Sequence, residues 1–182
     1  LQSVNGTLQD GRYHGVGIAC YLKDTGRGPY EGARITINSS GKVLIDLGIT
    51  TMGQGHETSL AQICADGLNV SLHDIQVRHG STDLISFGLG TFASRGGVMA
   101  GNAVYIAATG LRKKILRIAA KHLNLNLDAL DFENRSIVRK ESKREVLLDI
   151  GDVVAYGDDD IESEDETTAD DAKSGFIPSK SA

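Results

Sequence analysis

The stretch ARITINSSGKVLIDLG, residues 33–48, decides the fold class of this chain. Apolar β-forming residues take every second position of its two halves: Ile35, Ile37, Val43, Ile45 and Leu47. Such alternation places all of these side chains on one face of a strand. The run Ser-Ser-Gly at residues 39–41 has the composition of a turn and separates the two halves. The stretch therefore predicts a β-hairpin with one buried face.

Two segments downstream of the hairpin predict helices that cover this face. Residues 57–68 carry Leu60, Ile63, Cys64 and Leu68 at helical spacing. Residues 98–123 form a longer, alanine-rich segment whose last turns are basic, which suits the negative end of a helix. A mixed sheet that contains a hairpin and has two main helices packed on it is an α+β fold, and we expect this class.

The remaining segments complete the predicted order of elements. Residues 12–22 and 74–80 have the composition of strands, whereas residues 23–32 and 81–97 are glycine-containing loops. Loops as long as the second are uncommon unless they carry function. After residue 123 we expect a helical turn at DALDFEN and then short strands through GDVV, residues 151–154.

Charge divides the chain into a body and a tail. The formal net charge is −5, but nine acidic residues fall between positions 157 and 171, where no basic residue occurs. Residues 1–156 are thus close to neutral, which argues against a nucleic-acid partner. We predict one domain over residues 1–156 and an acidic tail without stable structure over residues 157–182.

Cysteine content and hydropathy limit the setting. Cys20 and Cys64 are the only cysteines, and their spacing matches neither a metal motif nor a disulfide framework. Two unpaired thiols favour a reducing, cytoplasmic environment. The sequence has no apolar run of the length that spans a bilayer, so we expect no membrane partner.

Polar chemistry is concentrated where the hairpin leads into the first helix, in TTMGQGHETS, residues 50–59. Gly53 and Gly55 clear space on both sides of Gln54, so that a ligand can reach the backbone. The helix start offers unsatisfied N–H donors, while Gln54 and His56 add side-chain donors and acceptors. Alternatively, Thr50 and Thr51 are turn residues, and Glu57 is only a carboxylate favoured by the helix dipole.

A second glycine-rich loop, GTFASRGG at residues 90–97, leads into the second helix. Thr91 and Ser94 supply hydroxyl groups, and Arg95 supplies a five-donor fork suited to phosphate. Helix capping and a solvated arginine are the alternative for this loop. Two such loops in front of two helices can converge on one elongated, phosphate-bearing ligand.

Four stretches together resemble a known family: GIACYLKDTGRGPYEGARITI, TTMGQGHETSLAQICAD, HGSTDL and GTFASRGGVMAGNAV. In order and spacing they are similar to the molybdopterin-binding large subunit of the xanthine dehydrogenase, aldehyde oxidase and aerobic carbon monoxide dehydrogenase family. The resemblance extends from Gly11 to Phe132 and is strongest to the bacterial carbon-monoxide-dehydrogenase-like branch. This chain has Ser81 where the family usually has aspartate in HGDTD.

The resemblance implies a molybdopterin-binding-domain-like fold and a molybdopterin cofactor, with the cytosine dinucleotide as the common bacterial form. By it, Gln54 would lie beside the molybdenum and bind its oxo ligand, with no residue of the chain bound to the metal directly. The cofactor-binding residues would be Gly53, Gln54, Gly55, His56, Thr91, Phe92, Ala93, Ser94 and Arg95. The implied partners are the rest of the molybdenum subunit, an iron–sulfur subunit with [2Fe–2S] clusters, an FAD subunit and a small-molecule substrate.

The same resemblance predicts that catalysis is incomplete in this chain. The general base of the family is a glutamate in a GxGE context near the end of the full subunit, and no such segment occurs here. We therefore expect no catalytic residue in this chain and no turnover by it alone, in an enzyme that would hydroxylate an aldehyde, an N-heterocycle or a similar substrate. The alternative is a non-enzymatic ligand-binding or subunit-assembly module.

Overall fold

A computed structural model describes residues 5–142 and 145–157, together with the backbone of residues 161–168. The strands are β1 Leu8–Gln9, β2 Arg12–Tyr13, β3 Tyr30–Ile37, β4 Val43–Leu47, β5 Ile75–His79, β6 Leu130–Glu133, β7 Ser136–Arg139, β8 Val146–Asp149 and β9 Ile161–Thr168. The α-helices are α1 His56–Leu68, α2 Gly101–Leu123 and α3 Ile150–Ala155. Short 3-10 turns precede β5 and β6, and a π-helical turn, Gly96–Ala100, leads into α2.

The main sheet is built on the predicted hairpin, in the strand order β5-β4-β3-β9. Strands β3 and β4 pair antiparallel from Ala33 opposite Leu47 to Ile37 opposite Val43, which confirms the hairpin. Strand β5 runs parallel to β4. A parallel pair needs a crossover connection, and α1 supplies it.

Helices α1 and α2 cover the apolar face of this sheet. The alternating residues of β3 and β4, from Ala33 to Leu47, are buried against Leu60 and Cys64 of α1 and the alanine-rich face of α2. The α+β fold with two main helices on a mixed sheet is therefore confirmed. No helix in the described part of the chain has the length and apolar character needed to cross a membrane.

Small residues let the two helices approach closely. A Cβ atom added to Gly67 of α1 would lie 3.0 Å from the Cβ of Ala108 on α2. Glycine lowers helix propensity, so this position is unfavourable for α1 taken by itself. Close packing against α2, rather than helix propensity, therefore explains why a glycine occupies position 67.

The opposite face of the sheet holds a line of charges in register. Arg34, Asp46 and Arg78 occupy paired positions on β3, β4 and β5. The Arg78 guanidinium donates to both Asp46 carboxylate oxygens, at 2.8 and 3.0 Å, and Arg34 lies 3.6 Å from the same carboxylate. Opposite charges on neighbouring strands stabilise the pairing register.

A second, antiparallel sheet in the order β6-β7-β8 follows α2. Its last strand leads into a helix that the sequence did not predict. We predicted strands through residues 151–154, but Ile150–Ala155 form α3. Asp149 caps the helix and Asp152 bonds back to the Asp149 N–H, which is a capping box. The Asp-x-x-Asp spacing was therefore an available indication of this helix.

The strand predicted over residues 12–22 is wrong beyond its first two positions. Only Arg12–Tyr13 are paired, in a small hairpin with Leu8–Gln9. Residues 14–24 form neither helix nor strand and are exposed. A strand requires a neighbour for its backbone hydrogen bonds, and the described part of the chain places none beside residues 17–22.

The segment predicted as an acidic tail without stable structure includes a strand. Ile161–Thr168 form β9, which pairs antiparallel with β3 from Tyr30 opposite Thr168 to Ile37 opposite Ile161. Residues 158–160 and 169–182 lie outside the described residues. The proposed boundary of the domain at residue 156 stays a prediction.

Replacing Gly48 by Ala is expected to lower the free energy of unfolding by about 1–3 kcal/mol, because the added methyl group overpacks the close contact with residues 87–88. An added Cβ would lie 2.5 Å from the Phe87 carbonyl oxygen and 2.6 Å from the Gly88 Cα. Urea unfolding followed by circular dichroism measures the change. The matched control is Gly17→Ala, whose Cβ meets nothing within 4 Å. Equal stability of the two variants would contradict the close approach of the loop.

Candidate functional site

Two glycine-rich loops meet directly in the structure. The first loop, residues 50–55, enters α1, and the second loop, residues 90–97, enters the π-helical turn before α2. The Thr50 N–H donates to the Thr91 hydroxyl at 3.1 Å, and that hydroxyl donates to the Thr50 carbonyl. One threonine side chain therefore joins the loops, and the two helix entrances lie close together, as the predicted convergence on one ligand requires.

A cleft of about 360 Å³ lies between the loops. Its lining residues are Met52, Gln54, His56, Thr91, Phe92, Ala93, Ser94, Arg95, Gly96 and Gly97. Seven of the nine residues expected to bind a cofactor are among them, and the other two, Gly53 and Gly55, lie in the first loop beside Gln54. The volume falls within the range of small-molecule sites.

Gln54 lies exposed at the rim of the cleft with its amide oriented by its own loop. Its side-chain oxygen accepts a hydrogen bond from the Met52 N–H. The amide nitrogen has no acceptor among the described residues, which leaves it as a donor toward the cleft. Gly53 and Gly55 adopt φ values of 94° and 75°, which disfavour other residue types. Loop geometry, rather than crowding, thus explains both glycines, since an added Cβ meets nothing within 4 Å.

His56 begins α1 and packs against the start of the next helix. A Cβ added to Gly96 would lie 2.3 Å from the His56 ring, so Gly96 provides the space that the imidazole occupies. The His56 Nδ1 atom is buried and has no hydrogen-bond partner within the described ranges. An unpaired buried polar atom is costly and suggests a missing ligand or water. In addition, no side chain caps the N-terminus of α1, whose N–H groups suit an anion.

The second loop has an unusual backbone. Ala93 and Ser94 adopt φ values of 46° and 52° in succession, in the left-handed region that L residues with a Cβ disfavour. Such conformations persist where the surroundings impose them, and they concentrate at ligand sites. The Ser94 hydroxyl accepts a hydrogen bond from Lys23 at 3.3 Å. This brings a cation to the edge of the cleft.

Arg95 borders the cleft, but its guanidinium is fully buried. It donates to the Glu31 carboxylate and to three backbone carbonyls, including those of Arg27 at 2.7 Å and Gly90 at 2.8 Å. Phe92 lies over it, with the ring centroid 5.1 Å from Cζ. The phosphate-binding fork expected from the sequence is therefore not free. The guanidinium instead holds the second loop against β3, because its N–H groups donate to Glu31 and to backbone carbonyls of the protein.

Glu57 lies one residue into α1 and is paired with His79, whose Nε2 lies 3.1 Å from the carboxylate. The pKa of Glu57 lies below its usual value, because its carboxylate accepts a hydrogen bond from its own backbone N–H and a second one from His79. A carboxylate held ionised in this way behaves as a first-turn residue of the helix. This agrees with the interpretation of Glu57 as a carboxylate that the helix dipole favours.

Some residues of the site were not selected from the sequence. Met52, Gly96 and Gly97 line the cleft, and Glu31 anchors Arg95 from a strand 64 positions earlier. The Gly96-Gly97 pair stood within the quoted loop and was an available indication, whereas no local pattern marks Glu31. Within the described residues, no group of three or more histidine, cysteine or acidic side chains could hold a metal ion.

Comparison with known proteins identifies the family. The model of the molybdopterin cofactor-binding domain matches residues 2–175. The chain belongs to this family. The match confirms the predicted resemblance and establishes molybdopterin binding as the function of the family to which this domain belongs.

Two curated relatives are similar to most of this chain. The 6-hydroxypseudooxynicotine dehydrogenase complex subunit gamma of Paenarthrobacter nicotinovorans is 34% identical over 139 residues, covering 76% of this chain and 18% of that protein. The carbon monoxide dehydrogenase large chain of Hydrogenophaga pseudoflava is 34% identical over 149 residues, covering 75% and 19%. The chain thus spans about a fifth of the length of the curated relatives it matches.

A solved structure supports the fold. Quinoline 2-oxidoreductase from Pseudomonas putida 86 superposes with a TM-score of 0.69 at 27% identity, over 80% of this molybdopterin-binding domain and 21% of that chain.

The cleft of the molybdopterin-binding domain fits a phosphate-bearing pterin. The orphaned His56 Nδ1 and the amide nitrogen of Gln54 have no partner among the described residues, and the N-cap residue of α1, Gly55, provides no side-chain cap. The hydroxyl of Ser94 adds a further donor, and no carboxylate is among the lining residues. A donor-rich, carboxylate-free cleft favours an anionic ligand. Phe92, which is 49% exposed, adds an apolar surface for a ring system.

Proposed function

We propose that this domain holds the molybdopterin cofactor of a molybdenum hydroxylase and forms one part of a larger catalytic subunit. The joined helix entrances carry this proposal. Thr50 and Thr91 fix the two loops to each other, and the cleft between them presents the hydrogen-bonding groups of Gln54, His56 and Ser94. An elongated ligand in this cleft would therefore contact two loops that hydrogen bonds join to each other.

Each loop has its own task in this proposal. The amide of Gln54 would hold the molybdenum end of the cofactor, and Gly53 and Gly55 would maintain the loop conformation that presents this amide. His56 lines the cleft, where its imidazole would contact the cofactor. Thr91, Phe92, Ala93 and Ser94 line the pterin and its phosphate, for which the cytosine dinucleotide is the proposed form, while Arg95 fixes the backbone of that wall. When bound, the cofactor supplies the redox-active molybdenum at which a substrate is oxidised.

The partners follow from the family of the domain. We propose that electrons leave through [2Fe–2S] clusters to FAD on neighbouring subunits or domains, and that the substrate is a small aldehyde, N-heterocycle or similar compound. The general base lies elsewhere in the subunit. A reducing, cytoplasmic setting suits the chain, since Cys20 and Cys64 are both free.

The second candidate is a module that binds the ligand or assembles subunits without catalysing a reaction. The chain that carries the cleft spans only about a fifth of the length of its relatives. A cleft on such a chain is compatible with either candidate. The two differ in one measurable respect, since only the enzyme oxidises substrate at the expense of a dye acceptor once the subunits are assembled.

In the full-length subunit, Gln54→Ala is expected to lower molybdenum-dependent turnover about 10- to 100-fold, the usual cost of removing a group that orients a metal centre. Dye reduction by the assembled enzyme measures turnover, and molybdenum content is determined in the same preparations. The matched control is Gln62→Ala, an exposed position on α1 outside the cleft lining. Unchanged turnover and cofactor content in Gln54→Ala would refute the role of Gln54. Robust turnover by the 182-residue chain alone would refute the prediction that its catalytic site is incomplete.

A further inference from the structure

An uncharged segment in front of β3 is exposed to solvent along its length. This arm, residues 13–22, includes Tyr13, Ile18, Tyr21 and Leu22, whose exposed fractions lie between 79% and 96%. It contains no Asp, Glu, Lys or Arg. Scattered exposed apolar residues are normal, but a contiguous run of them marks a surface that a partner covers.

The arm also has an open hydrogen-bonding edge. His14 and Val16 are tied to residues 5–7, but the backbone N–H groups of residues 17–22 donate to no acceptor in the part of the chain that the structure describes. The composition is that of a strand, with Val16, Ile18 and Tyr21 as β-formers. Unpaired backbone groups beside apolar side chains are a template for an added strand.

The two ends of the arm have different neighbours. Its start belongs to the β1–β2 hairpin, and its end reaches the second loop, where Lys23 donates to Ser94. A small cavity of about 220 Å³ separates Leu22 and Lys23 from Ala93. The end of the arm therefore lies next to the strained backbone of the cofactor cleft, and so would a strand that pairs with it.

We propose that the arm is the docking strand for the remainder of the large subunit, which adds an uncharged, apolar β-strand to it. This inference rests on the proposed function, because it takes the domain to be part of a longer subunit. The length of the relatives supports this occupant, since four-fifths of each lies outside the matched region. An uncharged edge with aromatic and branched residues matches an apolar strand and disfavours a charged partner. Docking closes the second loop from the side of Ala93 and Ser94.

A natural thiol in the arm makes the proposal measurable. Cys20 is exposed, whereas Cys64 is buried, which raises the pKa of its thiol to about 12. At pH 8, iodoacetamide is expected to modify one thiol of the native 182-residue chain, at Cys20, and two after denaturation, because the thiolate is the reactive form. Mass spectrometry of peptides assigns the modified cysteine.

The test compares the alkylation rate of Cys20 in the full-length subunit and in the 182-residue chain. Docking is expected to slow the rate at least tenfold in the full-length subunit. Ile18→Asp in that subunit should restore fast alkylation, while the matched control Leu127→Asp, an exposed apolar position on a different turn, should not. Equal rates in the full-length subunit and the isolated chain would overturn the proposal. Slow alkylation in the isolated chain that depends on its concentration would also overturn it, in favour of a second copy as the occupant.

Molybdenum content, measured on the same samples, separates this inference from the proposed function. A full-length subunit that holds molybdenum but alkylates at the rate of the isolated chain contradicts docking alone. A subunit that protects Cys20 but binds no molybdenum contradicts the proposed function alone.

Discussion

Replacing Arg95 by Met is expected to lower the free energy of unfolding by about 3–5 kcal/mol, because it leaves the Glu31 carboxylate buried without its partner. The loss is a large fraction of the 5–15 kcal/mol that is typical of a folded domain. The substitution also leaves the carbonyls of Arg27 and Gly90 without the hydrogen bonds that Arg95 donates to them. Urea unfolding followed by circular dichroism measures the change.

An exposed ion pair provides the control for Arg95. Arg139→Ala removes the partner of the half-exposed Glu145 and should cost no more than about 1 kcal/mol. A double variant, Arg95→Met with Glu31→Leu, should recover part of the loss, because it removes the uncompensated charge. If Arg95→Met is as stable as Arg139→Ala, the buried ion pair between Arg95 and Glu31 does not hold the second loop in place.

Gly97→Phe is expected to reduce the molybdenum and pterin content of the full-length subunit at least tenfold while leaving the fold intact. Gly97 lines the cleft and is exposed, and a Cβ at this position meets nothing within 4 Å, so the backbone tolerates a side chain there. The added ring then takes up space that the ligand needs. Each tenfold loss of affinity corresponds to about 1.4 kcal/mol. Metal analysis and the fluorescence of the oxidised pterin report the content.

Gly97→Ala is the matched control, since a methyl group fits the same open space and should retain wild-type cofactor content. Circular dichroism must show the same fold for both variants. Full cofactor content in Gly97→Phe would place the ligand elsewhere and would sink the assignment of this cleft.

The two glycine-rich loops illustrate how far residue chemistry can be predicted. Glycines and hydroxyl residues in front of two helices correctly indicated a shared cleft, because helix starts have donors that need acceptors wherever they lie. The role of Arg95 could not be inferred in this way. Its burial depends on Glu31, which is distant in sequence, and a guanidinium suits phosphate and carboxylate equally well.

Local pattern was sufficient for the elements that bury one face. The alternation in residues 33–48 and the helical spacing in residues 57–68 and 98–123 predicted the β3–β4 hairpin, α1 and α2, since burial of one face requires such spacing whatever the neighbours are. The glycine of α1 at position 67 was the exception. A glycine is needed there because of the close approach to Ala108, which no local sequence pattern predicts.

Pairing between distant segments had to come from the folded chain. The composition of residues 12–22 indicated a strand, yet only Arg12–Tyr13 form one and residues 17–22 stay unpaired within the described part of the chain. The acidic stretch Ile161–Thr168, of low β-propensity, pairs with β3 instead. A strand exists only where another backbone satisfies its hydrogen bonds. Residue order therefore sets which face of each element is apolar and where helices begin, while the three-dimensional arrangement sets which edges are paired and which charges are enclosed, because those depend on partners far away along the chain.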